Sequence, residues 1–506
     1  MKDDQQEDEN KKQEDAADFQ FDVPSPEPSG NQAPKGIFEE ESATDLHRHK
    51  PDLPPPFPEI LKEAVEKNGK KVFASWFDAN GNTTNSYTFE QMWNEAGYIA
   101  YDLRINNGLL KGDRVVLSYS FGLRFFAAFL GCLRAGIVAV PIYPPNPKKL
   151  EQALAKMNLV VRDCNAKLIL VDSAVNNLKR LDEKNIFSKS HTLWSSEKVS
   201  FYVHPKKMHK RTMNGGLVCF DDVSIDTHDL AFLQYTSGST GDPKGVMITY
   251  GALTANVRHI IYVILKTFDH SNKPKENVVV FSWLPQYHDM GKFYVFINTL
   301  STQNKGGRFG HFKIADFCLM THFNFYDDVT GLIVGMLAPF VGGWNCNMMS
   351  PLDFLSDPLL WIDLMSRLKV NYSPAPNFAY RLVAQKFMEL NKRKMVGVVN
   401  HKKNHRHTKS NLDLSSIVFL LCAAEPIQSD TKIIFESAFA DYGLPSNWFG
   451  AGYAGLAENV VYATSLHEFK LSTLEPTRGQ RIVAVGKRHS EDGQVIKIVC
   501  PERQIN

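Results

Sequence analysis

The sequence predicts an α/β protein with more than one sheet layer, and three observations carry that expectation. Short apolar runs of strand length recur along the chain between segments whose apolar residues have helical spacing. Over Val115 to Val140 the order is strand, helix, strand, the pattern of a right-handed crossover between parallel strands. A third apolar run leads into a loop rich in glycine and hydroxyl side chains, from Thr236 to Gly245.

The elements follow in chain order. Ile60, Leu61, Ala64 and Val65 have helical spacing, with Gly69 where a helix C-terminus favours glycine. Thr88-Phe89-Glu90-Gln91 is a capping-box pattern that opens a second helix, with Met92, Ala96, Ile99 and Leu103 on one face. Val115 to Leu117 reads as a strand, Phe125 to Leu133 as a helix closed by Gly136, and Ile137 to Val140 as a strand stopped by Pro141, Pro144 and Pro145. Further strands are expected at Leu168–Val171, Leu230–Leu233, Val246–Thr249, Val278–Phe281 and Ile417–Leu421. Thr249 is placed to cap a helix that turns Leu253, Val257, Ile260 and Ile264 inward.

Composition narrows the classes. The chain has 506 residues, 43% apolar and 22% charged, enough for more than one core. A net charge of +2 gives the whole chain no electrostatic case for nucleic acid. The seven cysteines form no CxxC pair, and scattered thiols fit a reducing, cytoplasmic setting. The N-terminus, Met1-Lys2-Asp3-Asp4, lacks the apolar segment of a signal peptide. Residues 1–55, acidic and then proline-containing, read as a disordered tail that cannot bury enough apolar area to offset its ordering entropy. Val329 to Met349 is apolar, but its glycines, Pro339, Asn345 and Asn347 fit a buried passage with a turn better than a membrane span.

The strongest motif is Tyr235-Thr236-Ser237-Gly238-Ser239-Thr240-Gly241-Asp242-Pro243-Lys244-Gly245. Its glycines let the backbone turn tightly and present N–H groups to an anion, its hydroxyls add donors, and Lys244 adds a charge suited to a phosphate oxygen. It lacks Walker A spacing and sits between two strands rather than at the head of a helix. A Ser/Gly-rich surface turn is the bland alternative.

This loop resembles the signature of the adenylate-forming superfamily. Four further segments resemble the fatty acyl-AMP ligases in particular: Gly131 to Pro145, Trp283-Leu284-Pro285-Gln286-Tyr287-His288-Asp289-Met290-Gly291, Ala375-Pro376-Asn377-Phe378-Ala379-Tyr380, and Ala424-Glu425-Pro426. The resemblance covers residue 57 to the end. It implies the large N-terminal domain of that superfamily: layered sheets with flanking helices, an AMP-binding domain over 56–475, and the start of a following subdomain over 476–506. It also implies ATP-dependent conversion of a fatty acid to acyl-adenylate and pyrophosphate, with transfer to an acyl carrier protein. Thr236, Ser237, Gly238, Ser239, Thr240, Gly241 and Lys244 then grip the triphosphate, and Thr236 and Glu458 hold Mg²⁺ through oxygen. His288 and Asp289 border the acyl pocket. Ala423, Ala424, Glu425 and Pro426 run along the adenosine, as do Tyr453, Gly455, Leu456, Ala457 and Glu458. Lys244, His288 and Glu458 are the expected catalytic residues.

The chain departs from the family pattern in four places. Ala454 stands where the adenine-stacking aromatic belongs, with Tyr453 one residue early. Lost stacking is worth about 1–3 kcal/mol in nucleic-acid sites. Lys292 to Thr330 interrupts the Trp283–Gly291 motif before Leu332, either as a surface excursion or as a translated intron. Residues 391–411 are basic and His-rich without the spacing of a zinc site. The family continues into a C-terminal domain carrying a catalytic lysine, and the reading expects that domain to be absent here. Two rivals stay open: a fatty acyl-CoA ligase, and a catalytically weak acyl- or nucleotide-binding fragment.

Overall fold

The computed structural model describes residues 55–183, 194, 199–203, 212–213, 216–217, 220, 223–236, 243–269, 271, 273–287, 330–395, 412–423, 427–428 and 430–451. All of them belong to the unit that begins at Leu53. The tail expected over 1–55 lies outside these residues up to 54, as do 292–329, 396–411 and 476–506.

Helix α1 (Phe57–Asn68) precedes an antiparallel pair, β1 (Val72–Phe77) and β2 (Thr83–Thr88). Gly69 caps α1 as expected by position, yet it keeps a right-handed conformation with φ −38°. Its lack of a side chain serves space instead, since a Cβ there lies 3.1 Å from the Val65 carbonyl oxygen. Helix α2 (Phe89–Tyr101) opens with the expected capping box, in which the Gln91 amide donates to Thr88 Oγ1 and the Thr88 amide to Gln91 Oε1.

The crossover follows as β3 (Arg114–Ser118), α3 (Leu123–Ala135) and β4 (Val138–Ile142). Gly136 ends α3 at φ 66°, a left-handed conformation that glycine adopts without a Cβ clash. Contrary to the sequence reading, Pro141 does not stop β4 but lies within it, opposite Leu117 of β3. The recorded pairing of β4 with the strand on its other side falls at Ala139, two residues earlier, so the missing proline N–H breaks none of it. Then come α4 (Leu150–Asp163), β5 (Leu168–Val171), α5 (Ser173–Glu183) and β6 (Ser200–Val203). A two-stranded ribbon, β7 (Thr212–Met213) and β8 (Gly216–Leu217), stands apart from the larger sheets.

Strands β9 (Leu230–Thr236) and β10 (Lys244–Thr249) lead into α6 (Tyr250–Asp269). The Thr249 hydroxyl accepts from the Ala252 amide, and Leu253, Val257, Ile260 and Ile264 are buried, as their spacing requires. After β11 (Val279–Ser282) the described chain resumes in a helical passage from Thr330, with a π-helical turn at Ile333–Leu337 and helix α7 (Ala338–Gly342). Strand β12 (Asn345–Met349) completes the apolar stretch. Leu332 to Phe340 is buried throughout in protein, and no helix among the described residues is long and apolar enough to cross a membrane. The chain continues through α8 (Pro351–Ser356), α9 (Leu359–Arg367), β13 (Tyr372–Pro376), α10 (Asn377–Met395), β14 (Phe419–Ala423), α11 (Thr431–Phe439) and β15 (Phe449–Ala451).

Two sheets organise these elements. A seven-stranded sheet runs β15-β14-β13-β11-β12-β1-β2, and a six-stranded sheet runs β10-β9-β4-β3-β5-β6. In each, the only antiparallel pairing among the described residues is at one edge, β1–β2 in the first and β9–β10 in the second. One apolar core joins inner-face residues of both sheets, such as Val280 and Leu117, to α2, α3 and α6 between them. A second core packs α9, α10 and α11 on the outer face of the seven-stranded sheet. A third packs α4 on the outer face of the six-stranded sheet. The expected layered α/β fold is therefore present as five layers, helices alternating with sheets.

Candidate nucleotide site

In parallel sheets, ligands collect beyond the C-terminal ends of the strands, where loops gather and helix N-termini point. Strand β9 runs parallel to β4, so Thr236 ends at the same edge as Ser118 of β3 and Ile142 of β4. Strand β10 returns antiparallel, with Lys244 opposite Thr236 and Gly245 opposite Tyr235. The glycine- and hydroxyl-rich loop is thus borne on a strand-to-strand stem, as its flanks predict. Lys244 is exposed at the loop's exit, its ammonium free to meet an anion.

The stem is braced by Tyr235. Its hydroxyl donates to Asp163 Oδ2 at the end of α4. Burial first, and then the Asp163 hydrogen bond, raise its pKa well above the ordinary tyrosine value. The ring lies across Gly245, where an added Cβ would sit 3.0 Å from Tyr235 Cζ. Below it in β9, Gln234 is 1% exposed, and neither amide atom has a hydrogen-bond partner among the described residues.

The two sheets meet beside this edge. The Gly122 amide, in the loop after β3, donates to Gln286 Oε1, in the segment after β11, at 2.8 Å. Tyr287 stacks on Phe121 at 5.1 Å between centroids and meets Phe125 and Tyr143 edge-on at 5.0 and 5.1 Å. Burial pushes the Tyr287 hydroxyl far above the usual range, and it has no hydrogen-bond partner among the described residues. On the far side Trp283 stacks on Phe354 at 3.7 Å. These contacts hold the Trp283–Tyr287 segment, from which His288 and Asp289 continue outside the described residues.

The third part lies at the end of β14. Ala423 is buried there, opposite Pro376 of β13, and its small side chain permits close backbone approach. Asn377 follows Pro376 directly, and its Oδ1 accepts from the Gln428 amide at 3.3 Å and from Thr431 Oγ1 at 2.5 Å. It thereby ties the chain entering α11 to the end of β13. Asn377 lies within the Ala375–Tyr380 motif, which assigns it no role; a buried asparagine at a strand end is the signal that carries one. Tyr380 adds a 2.8 Å hydrogen bond from its hydroxyl to the Leu421 carbonyl of β14.

Of the expected site residues, Lys244, Ala423 and the backbone of Thr236 are described, all at C-terminal strand ends or on the returning edge strand. Ser237, Gly238, Ser239, Thr240, Gly241, His288, Asp289, Ala424, Glu425, Pro426, Tyr453, Gly455, Leu456, Ala457 and Glu458 lie outside the described residues. Sequence reasoning gave no role to Asp163, Gln286 or Tyr287, because each acts through a partner distant in sequence.

Comparison with known proteins agrees with this geometry. The family model described as AMP-binding enzyme matches residues 61–316. The medium-chain-fatty-acid–[acyl-carrier-protein] ligase JamA of Moorena producens (strain JHB) is 28% identical over 422 residues, 82% of this chain and 57% of that protein. The long-chain-fatty-acid–AMP ligase FadD23 of Mycobacterium tuberculosis (strain CDC 1551 / Oshkosh) is 27% identical over 413 residues, 81% of this chain and 57% of that one. The crystal structure of a fatty acyl-adenylate ligase from L. pneumophila, in complex with acyl adenylate and pyrophosphate, aligns with a TM-score of 0.58 at 27% identity. That alignment covers 85% of this chain and 61% of the solved one. The chain therefore spans about three-fifths of the length of the proteins it matches. Matched over half its length by the family model, and built on the two-sheet core that ends in this strand-borne loop, the chain belongs to the AMP-binding enzyme family.

Proposed function

We propose that this chain activates a fatty acid: the carboxylate oxygen attacks the α-phosphorus of ATP, the bond to the bridging oxygen of pyrophosphate breaks, and acyl-AMP forms. The observation that supports this most is the Thr236–Lys244 stem, with its glycine- and hydroxyl-rich loop, in a chain of the AMP-binding family. The reaction brings two anions together. Its barrier falls when fixed N–H dipoles and a cation meet the charge that grows on the leaving pyrophosphate. Lys244 and the loop of Ser237 to Gly241 supply those groups in this reading.

Mg²⁺ fits the donor chemistry, because Thr236 ends β9 at the loop entrance and offers a hydroxyl, and Glu458 offers a carboxylate. Both are hard oxygen donors, and the ion would neutralise phosphate charge when bound. His288 and Asp289 border the acyl carboxylate, while Ala423 to Pro426 and Tyr453 to Glu458 line the adenosine. A long acyl tail gains about 0.8 kcal/mol for each CH₂ it buries, which favours fatty substrates over short ones. The acceptor we propose is the thiol of an acyl carrier protein, the acceptor class in the name of JamA. A reducing, cytoplasmic setting accords with the buried cysteines Cys132, Cys164, Cys346 and Cys422.

The test is fatty-acid-dependent exchange of labelled pyrophosphate into ATP by the purified chain. Exchange is expected with dodecanoic acid and Mg²⁺, falling at least tenfold in Lys244→Ala. Absence of both exchange and ATP binding overturns the proposal. Lipid binding without exchange identifies an acyl binder, and acyl transfer to CoA in place of a carrier protein identifies a CoA ligase.

A further inference from the structure

A side-chain hydrogen bond joins the loop stem to the outer helical layer, and its placement is informative. Asp163 is the last residue of α4, where the carbonyl ends of the helix carry partial negative charge and a carboxylate is disfavoured. It is exposed, so burial does not dictate its identity. Its Oδ2 accepts from the hydroxyl of Tyr235, which is 7% exposed and packs in the same core as Leu154, Val161 and Cys164. Tyr235 is one residue before Thr236, and its β10 partner is Gly245, one residue after Lys244. A Cβ at position 245 would crowd the phenol where it lies across that strand toward α4, at 3.0 Å from Cζ and 3.2 Å from the hydroxyl. Acid, phenol and glycine thus form one device acting on the two ends of the loop stem.

We propose that Asp163 is a positioning residue for the nucleotide, holding the Tyr235 hydroxyl so that Thr236 and Lys244 keep the spacing at which the loop meets phosphate. The inference rests on the ATP-dependent reading above. Ordering two stem residues before the ligand arrives removes their conformational cost from binding. Loss of the hydrogen bond returns part of that cost to the nucleotide and none of it to the fatty acid.

The experiment titrates the purified chain with ATP and, separately, with dodecanoic acid by calorimetry, for wild type, Asp163→Ala, Asp163→Asn and Tyr235→Phe. Asp163→Ala and Tyr235→Phe should each weaken ATP binding at least threefold while leaving dodecanoate affinity within twofold. Asp163→Asn, whose amide oxygen still accepts the phenol, should restore ATP affinity to within twofold of wild type. Thermal melts identify any variant that fails to fold, and Tyr235→Phe, which keeps the ring over Gly245, then carries the comparison. Equal ATP affinity in wild type and Asp163→Ala overturns the positioning role alone. Equal losses for ATP and dodecanoate overturn it in favour of general loosening. A wild-type chain that binds no ATP overturns the functional reading itself.

Discussion

At the scale of single residues, glycines carry much of the information because each marks a place where a side chain has no room. Gly131 of α3 faces α2, and a Cβ there would lie 2.8 Å from Ile99 Cβ and 3.0 Å from the Ala96 carbonyl oxygen. The two helices pack closely in the central layer, so Gly131→Ala must push them apart. Overpacking of this kind costs about 1–3 kcal/mol. Chemical denaturation should show that loss, and an unchanged midpoint would mean the helices separate freely. The glycine sits within a motif legible in the sequence, Gly131 to Pro145, but nothing in the motif says that Ile99 is what fills the space. Arg134 of the same motif is another instance. It is buried, donates to the Trp93 and Phe220 carbonyls, and lies 3.7 Å over the Trp93 ring. The spacing of a sequence motif records such partners only as an unexplained preference for arginine.

At the scale of elements, local signals performed well where local chemistry decides. The Thr88–Gln91 capping box, the Thr249 cap and the left-handed Gly136 all appear where residue type alone places them. Strand ends were less legible. The reading stops β4 at Pro141, whereas the strand continues to Ile142 because its neighbours require no N–H at that point. The described chain leaves after Tyr287 and returns at Thr330, and the two flanks lie so close that a Cβ added at Gly331 would overlap the Pro285 carbonyl oxygen. Gln286 Nε2 also meets Met336 Sδ at 3.2 Å. A few extended residues, at about 3.3–3.6 Å each, are enough to span a gap of that size. We expect a chain with 292–330 deleted and Gly291 joined to Gly331 to fold with a melting temperature equal to or above that of the full chain. A deletion that yields only aggregated or unfolded protein counts against this. Transcript sequencing separates a surface excursion, which stays in the message, from an intron, which does not.

At the scale of the molecule, the five layers bury thiols as well as hydrocarbon. Cys132, Cys164, Cys346 and Cys422 are all buried. Burial raises the Cys164 thiol to about 11 and pushes Cys132 and Cys346 higher still. The thiolate is the reactive form, so a neutral-pH thiol reagent such as 5,5′-dithiobis(2-nitrobenzoic acid) should modify these cysteines only as the chain unfolds. Rapid labelling of Cys132 in the folded chain, read by peptide mass, would show that the central layer opens to solvent. The same layering explains the position of the site. Parallel strands bring their C-terminal ends to one edge of each sheet, and the Gly122–Gln286 bond brings those edges together.

The sequence by itself determined the fold class, the strands and helices of the first crossover, the strand-borne character of the glycine-rich loop and the family. These follow from apolar period, cap chemistry and packed motifs, all of which act over a few residues. Only the tertiary structure decided what braces that loop, what Asn377 ties together, and that Pro285 and Gly331 are neighbours across the interruption. Each of those contacts joins residues tens of positions apart. Their energy depends on a close approach that arises only once the layers have packed, and no local pattern of residues encodes such a distance.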